Sequence, residues 1–519
     1  MIRKLLSVNL HFIYIVFFYI LHRVNEYYGL LPVSSSLYYL AIFIAISLGL
    51  VLLSSLFFRS YLKSCLYSTL LMLVVLFFGA LHDGIGMLPL PAVFSSYKFI
   101  LAALIFICIT LFVIIKRSKN NFKRINYYFN TLFLLLLVFE LLTSLYHIIN
   151  STKEKNNLAD ASLSMVKKYK PCDTCAKPDI YFIIFDSYTS SSCLKKEFGF
   201  DNSGLDSLLK SAGFYIAANS RSNYASTPMT VASCFNMNYF PATVNNKEFS
   251  GKLILQAVES VYQSELAALL EKEGYEIRNH SVFHLKNHPS GQQIMRSYYP
   301  KKVFYDNTLP GRFQQDVLWN FLPAGKISPA KNYYDEPRHA NYLNNISSTI
   351  KSLKDEIVNT SGKPKFVYAH IMLPHYPYYF DETGNYNPFA DIYKIDKALY
   401  LKQLIYSNRI ISDIISSLKQ HQKSRIVVIG GDHGYREFAE RSKLPEIFPI
   451  YHACYFPDTS YSKLYDSISP VNTFRIIFNQ YFKQDFPLLP DSSVYIKDPS
   501  LNFEINKNKQ THDKEQLDH

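Results

Sequence analysis

Ile180-Tyr181-Phe182-Ile183-Ile184-Phe185-Asp186 is the stretch on which the fold reading turns. Six consecutive apolar or aromatic residues, rich in β-branched and ring side chains, read as a strand covered on both faces, and the run stops abruptly at an acid. A second run has the same form: Arg425-Ile426-Val427-Val428-Ile429 leads into Gly430-Gly431-Asp432-His433-Gly434. An acid placed directly after a buried strand is costly to desolvate unless it is paired or bound to a cation. Flanking glycines allow close backbone approach, and the Asp432-His433 pair offers adjacent oxygen and nitrogen ligands of the kind that Zn²⁺ or Mn²⁺ accepts. The plainer alternative for that pair is a helix N-cap Asp beside a surface His.

Working outward, further apolar β-rich runs occur at 365–371 and 450–456, with helical periodicity at about 203–212, 252–272, 338–359, 394–420 and 470–482. Strands alternating with helices predict an α/β domain over 179–500 with a mostly parallel central sheet. Functional groups in such sheets gather beyond the carboxyl ends of the strands. Asn223-Tyr224-Ala225-Ser226-Thr227-Pro228-Met229-Thr230 is rich in hydroxyls and precedes an apolar helical stretch. A hydroxyl there can serve as a metal-activated nucleophile or merely cap the helix. His375, between Pro374 and Tyr376-Pro377-Tyr378, suits acid–base work or phosphoryl contact near neutral pH, the alternative being a loop histidine packed on Tyr376 and Tyr378. Arg221, Arg296, His284 and His452 are weaker candidates for touching an anionic headgroup.

The chain upstream is different. Of 95 charged residues in 519, the first 150 positions hold only 14, and apolar runs at about 5–24, 37–58, 66–90, 96–115 and 129–149 predict five transmembrane helices. Arg3, Lys4, Arg59, Lys63, Lys116, Arg117, Lys119, Lys123 and Arg124 fall in three short segments assigned to the cytoplasm. The loop from Asp83 to Ser96 has no Lys or Arg, so five crossings deliver the rest to the extracytoplasmic side; Arg23 counts against this orientation. Glu140, Asp83, His11 and His82 are candidates for a transport path, or for polar groups facing neighbouring helices. Residues 151–178 read as a linker or a surface helix, and 501–519 as a disordered polar tail.

Composition excludes other classes. The net charge of +13 is spread among interspersed acids and forms no long basic run, which argues against nucleic acid. Eighty Tyr and Phe, 18 Gly and 7 Cys exclude disorder, collagen-like repeats and a disulfide-framed mini-protein. Cys172 and Cys175 form a local disulfide, a redox pair or half a zinc site; the pairing of Cys193, Cys234 and Cys454 is left open. Cys65 and Cys108 are expected to be inert thiols within the bilayer.

Pro178-Asp179 through Asp186, Ser226/Thr227, His370-Ile371-Met372-Leu373-Pro374-His375-Tyr376-Pro377-Tyr378 and Gly431-Asp432-His433-Gly434 together resemble the sulfatase branch of the alkaline phosphatase superfamily. Membrane helices followed by one extracytoplasmic catalytic domain are similar to lipoteichoic acid synthases and lipid A phosphoethanolamine transferases. The resemblance implies one divalent ion, Zn²⁺ or Mn²⁺ before Mg²⁺ or Ca²⁺, held by Asp186, Thr227, Asp432 and His433, with Thr227 rather than Ser226 as nucleophile. It implies a multi-pass protein of the bacterial cytoplasmic membrane moving a headgroup from a phospholipid donor to a glycan or lipid acceptor through a phospho-threonine intermediate. A hydrolase or phosphodiesterase of the same superfamily, and an inactive membrane scaffold, are the other readings. Two departures stand out. Thr230 occupies the Arg position of the C/S-x-P-x-R sulfatase motif, and Asp186 stands where the membrane transferases often carry Glu.

Overall fold

The computed structural model describes residues 7–162, 165, 168–240, 250–292, 300–314, 337–359, 362–392, 394–421, 423–438 and 441–496. The expected disordered tail at 501–519 lies outside the described residues. The chain divides into two compact units, Met1–Asp160 with Arg296–Ile327, and Ala161–Met295 with Ser328–His519.

In the first unit, α1 spans His11–Glu26, α2 Val33–Ser55, α3 Tyr61–Gly86, α4 Tyr97–Arg117 and α5 Lys123–Ser162. Among the described residues, four helices are long and apolar enough to cross a membrane: α2, α3, α4 and α5 over Lys123–Asn150. The count of five is therefore not reproduced. The 16 residues of α1 rise only about 24 Å, short of a ~30 Å hydrocarbon core. α5 continues past residue 150 into the stretch read as a linker. Ile105, Phe106, Leu135 and Phe139 stay exposed on the outer faces, as they would toward lipid, while Ile15, Val16, Tyr19, Phe43, Met72 and Leu76 pack inward.

The polar groups singled out in this unit all find partners. Glu140 ties α5 to α1, its Oε1 lying 2.8 Å from His22 Nδ1 and its Oε2 accepting from Asn25 Nδ2 at 2.7 Å. His11 Nδ1 meets Thr69 Oγ1 at 2.6 Å, and His82 meets Asp83 at 3.2 Å. A segment from far downstream, 300–314, also packs here. Phe304 is fully buried among Tyr19, Tyr39 and Phe43, and Tyr19 Oη donates to its carbonyl at 2.9 Å. Gly79 N donates to Asn307 O at 2.9 Å, an approach so close that a Cβ at Gly79 would stand 2.5 Å from that oxygen. Arg312 pairs with Asp83 at 2.5 Å.

The second unit is built on a six-stranded sheet of order β2-β6-β5-β1-β4-β3, with β1 Asp179–Phe185, β2 Tyr215–Ile216, β3 Glu276–His280, β4 Lys365–Ile371, β5 Arg425–Gly431 and β6 His452–Tyr455. β5, β1, β4 and β3 run parallel and β6 pairs antiparallel with β5, so the sheet is mixed and mostly parallel. Every residue of β1, β4 and β5 is buried, which is why these strands read as unbroken apolar runs rather than alternating ones. β2 and β3, short or half-polar edge strands, carry no such signal. The helices include α6 Ser191–Phe198, α7 Ser203–Ser211, α8 Thr227–Phe235, α9 Gly251–Tyr262, α10 Glu265–Lys272, α11 Pro337–Val358, α12 Lys397–Gln420 and α13 Pro470–Tyr481. The single pattern at 252–272 resolves into α9 and α10, separated at Gln263-Ser264. Cys172 and Cys175 are joined by a disulfide, whereas Cys193, Cys234 and Cys454 are buried and free.

Candidate active site

Strand register sets the first two groups side by side. Phe185 of β1 pairs with Gly431 of β5, so the residues that follow, Asp186 and Asp432, leave the same end of the sheet next to each other. Both are almost fully buried. The turn after Asp186 is tight: Ser187 sits in the left-handed region at φ 67°, where its amide donates to Asp432 Oδ1 at 3.0 Å. Such a conformation costs of order 1–3 kcal/mol for a non-glycine residue and is held by its surroundings. The glycines around Asp432-His433 answer to close packing. A Cβ at Gly431 would stand 2.3 Å from Tyr188 O, and one at Gly434 would stand 2.6 Å from Pro449 O.

His433 is the hub. Its Nδ1 lies 2.8 Å from Gly434 O, which can only accept, so Nδ1 carries the proton and Nε2 presents a lone pair. That lone pair faces Thr227 Oγ1 at 3.4 Å, Asp186 Oδ1 at 3.5 Å and Asp432 Oδ2 at 3.6 Å. Burial, then the nearby Arg436 charge, holds the His433 pKa below the ordinary histidine range, keeping the ring neutral. Burial alone would raise the Asp186 carboxyl, but His375, His370 and His433 outweigh it and hold the group well below the usual carboxylate range.

Thr227 is the first residue of α8 and Ser226 its N-cap. Ser226 makes no side-chain capping bond, so the capping alternative is not what the side chain does. His375 follows β4 in a loop with cis peptide bonds at Leu373–Pro374 and Tyr376–Pro377. Its Nδ1 meets Tyr376 O, leaving Nε2 to accept from Arg436 Nη2 at 3.0 Å. Its ring centroid stands 6.1 Å from that of His433.

Two residues escaped the sequence reading of roles. His370 is fully buried on β4, with Nδ1 3.0 Å from Tyr368 Oη and Nε2 3.4 Å from Asp186 Oδ2. Arg436 bridges His375 and the carbonyl of Ala225, two residues before Thr227. A cation three residues beyond the Asp-His pair was the available signal for Arg436. His370 lay inside a quoted motif, but only strand pairing, Ile184 opposite His370, reveals its place beside Asp186. The weaker candidates do not join the site as it is described. Arg221 donates to Pro445 O and lies over Phe448; His284 accepts from Ser290 N; His452 is buried with its pKa lowered to about 4, hence neutral; Arg296 lies outside the described residues.

The donor set fits a divalent cation. Among the described residues, Asp186 Oδ1, Asp432 Oδ2 and His370 Nε2 are buried without a hydrogen-bond partner, an expensive arrangement for carboxylates unless a positive ion meets them. One ligand atom each from Asp186, His375 and His433 lie within 4.8 Å of one another, and so do those from Asp186, His370 and Asp432.

With this geometry in place, the comparison with known families decides the kinship: the sulfatase family matches residues 209–474, just over half of the chain. The chain belongs to the sulfatase family. It is thereby an enzyme of the sulfatase-like hydrolase and transferase type. The matched span contains Thr227, His370, His375, Asp432 and His433 and begins after Asp186. No curated protein sequence matches the chain. Among solved structures, the chain is similar to the C-terminal periplasmic domain of EcEptC from Escherichia coli, at 12% identity and TM-score 0.38, covering 65% of this chain and 90% of that one. The integral membrane protein lipooligosaccharide phosphoethanolamine transferase A from Neisseria meningitidis aligns over 95% of this chain and 96% of its own, at 11% identity and TM-score 0.36. The putative sulfatase YidJ from Bacteroides fragilis covers 63% and 80%, at 14% identity and TM-score 0.35.

Proposed function

We propose that this sulfatase-family protein is a metal-dependent membrane phosphotransferase that moves a phosphorylated headgroup from a phospholipid to an extracytoplasmic glycan or lipid acceptor. The observation that carries the reading is the meeting of a hydroxyl, two carboxylates and a bare imidazole nitrogen, from Thr227, Asp186, Asp432 and His433, around one buried point. These four would hold one divalent ion, Zn²⁺ or Mn²⁺, which supplies a lowered hydroxyl pKa and neutralises charge on the phosphoryl oxygens.

The residues themselves do the following. Thr227 Oγ1 attacks phosphorus in line, forming a Thr–O–P bond while the bond from phosphorus to the diacylglycerol oxygen breaks and that oxygen takes up a proton. The acceptor hydroxyl then attacks the same phosphorus, loses its proton and restores the Thr227 hydroxyl. Arg436, braced by His375 and by Ala225 O, offers a guanidinium to the phosphoryl oxygens, and its Nε is without a partner. His375, with Nδ1 on Tyr376 O and Nε2 on Arg436, orients that guanidinium, and can contact the phosphoryl group or protonate the leaving oxygen only once Nε2 is released from Arg436 and carries a proton. Thr230, which stands at the Arg position of the formylglycine motif, instead donates to Tyr224 O, so that loop is not arranged for sulfate-ester chemistry of the formylglycine kind.

In this reading five crossings leave the catalytic unit outside the cytoplasm. The Lys/Arg asymmetry supports this placement, as does the Cys172–Cys175 disulfide, which suits an oxidising compartment. The docking of Arg312 on Asp83, at the start of the loop free of Lys and Arg, points the same way. A reporter active only in the cytoplasm should be silent when fused after Asn150 and active near Asn120; the reverse result refutes the placement.

The chemistry is tested by incubating purified protein with headgroup-labelled phospholipids and analysing the Thr227 peptide by mass spectrometry. A headgroup phosphate on Thr227 and label in an added acceptor are expected. Adduct with release to water alone makes the protein a hydrolase. Absence of adduct and of turnover with every lipid and ester leaves the scaffold reading.

A further inference from the structure

The sheet has a second end. Arg425 opens β5 and Asp432 follows its last residue, so the two lie about 23 Å apart at 3.3 Å per residue. Around Arg425 lies a cavity of about 580 Å³, within the range of about 300–1,000 Å³ usual for small-molecule sites. Phe214, Leu418 and Tyr455 give it apolar walls, and Lys419, Lys423 and Arg425 bring cations to it; among the described residues no acid lines it.

The charges are unevenly committed. Lys423 Nζ holds the Asp179 carboxylate at 2.7 Å. Lys419 has no ion-pair partner among the described residues, and its side chain is exposed. Arg425 is 4% exposed; its Nε donates to Lys423 O at 3.2 Å and its Nη2 to His421 O, and the guanidinium lies 5.8 Å above the Tyr181 ring. The third nitrogen, Nη1, is buried and has no acceptor among the described residues. A buried donor of a charged group left unmet is costly, and a carboxylate or phosphate oxygen is its natural complement. An inorganic anion would leave the apolar walls unused, and a neutral lipid would leave the guanidinium unmet.

We propose that this cavity binds a single-chain amphiphilic anion, its headgroup on Arg425 and Lys419 and its hydrocarbon along Phe214, Leu418 and Tyr455. The site is separate from the nucleophile and needs neither metal nor Thr227. The test uses the full chain in phosphatidylcholine nanodiscs, with 11-(dansylamino)undecanoate as fluorescent probe, empty discs as background, and dodecyl phosphate and dodecanoate as competitors. Saturable binding is expected, weakened at least tenfold by Lys419→Glu and by Arg425→Gln, abolished by Ala212→Trp, which fills the cavity, and unchanged in Thr227→Ala. The competitor effective at lower concentration identifies the headgroup as phosphate or carboxylate. Lys419 is a surface position, so Lys419→Glu retains the fold even where Arg425→Gln does not. Binding that equals empty discs, that survives both Lys419→Glu and Ala212→Trp, or that disappears in Thr227→Ala overturns the proposal.

Discussion

Glu140 in the membrane unit and the Asp186–Asp432 pair in the catalytic unit are acids buried to nearly the same degree, yet they are treated in opposite ways. Both oxygens of Glu140 are met, one by His22 and one by Asn25, and Asn25 is itself fixed by Ser144 at 2.7 Å. Asp186 Oδ1 and Asp432 Oδ2 are left bare, with the unprotonated nitrogen of His433 pointed at them. The lesson is that burial of an acid does not by itself announce chemistry. A satisfied carboxylate is a joint between two helices, whereas an unsatisfied pair facing a lone pair is a donor set suited to a cation.

Substitutions can break or sharpen this contrast. The largest effect belongs to Thr227→Ala, which removes the oxygen proposed to attack: turnover should fall by about a thousandfold or more, while Ser226→Ala costs about 1 kcal/mol or less in a steady-state assay. Equal losses from both would show that the hydroxyl loop acts through structure. Next, Asp432→Asn combined with His433→Ala should empty the protein of its divalent ion by elemental analysis, whereas Glu140→Gln should leave the metal content unchanged. Loss of metal in Glu140→Gln would erase the contrast altogether. His370→Phe, which withdraws the nitrogen facing Asp186, should weaken metal affinity by about 10–100-fold without abolishing it, as orienting groups behind a ligand do; competition with a chelator measures this.

The smallest effects concern stability. Glu140→Leu leaves His22 and Asn25 without their acceptor and should cost about 1–3 kcal/mol, seen as a lower Tm in detergent with the catalytic unit's metal retained. Glu265, buried on α10 with Oε2 unpartnered, has its pKa raised to about 8 by burial, with Arg475 opposing. The folded state therefore keeps a proton that the unfolded chain releases above about pH 4.5, and stability falls as pH rises from there toward 8. Glu265→Gln should match the wild type near pH 4 and exceed its Tm by a few degrees at pH 8; a gain confined to low pH would contradict the sign.

What could be read from the chain depended on whether the signal was local. β1, β4 and β5 were legible because strands covered on both faces leave uninterrupted apolar runs, and Asp186, Asp432 and His433 were legible because each stands at the end of such a run. β2, with two residues, and β3, whose Glu276, Arg278 and His280 alternate with Ile277 and Asn279, belong to the sheet only through their neighbours. His370 acquires meaning only through strand register, which no window of sequence contains, whereas Arg436 stands three residues beyond the Asp-His pair and shows its role only once the loop returns to His375. Of the five apolar runs at the amino-terminal end, four match helices long enough to span among the described residues, and the helix of the first run begins at His11.

The segment 300–314 has a practical consequence for anyone who wishes to study the catalytic half by itself. The polypeptide leaves that half and re-enters it, so a cut near residue 161 severs one of the connections and leaves this excursion attached. Phe304, sheltered by Tyr19 and Tyr39, would then face water, and the carbonyls of Phe304 and Asn307 would lose Tyr19 and Gly79 as donors. An excised fragment that keeps 300–314 without the helices that shelter Phe304 would self-associate, while one that replaces that stretch with a short hydrophilic bridge would stay monodisperse. Truncation boundaries for this enzyme have to be chosen in pairs.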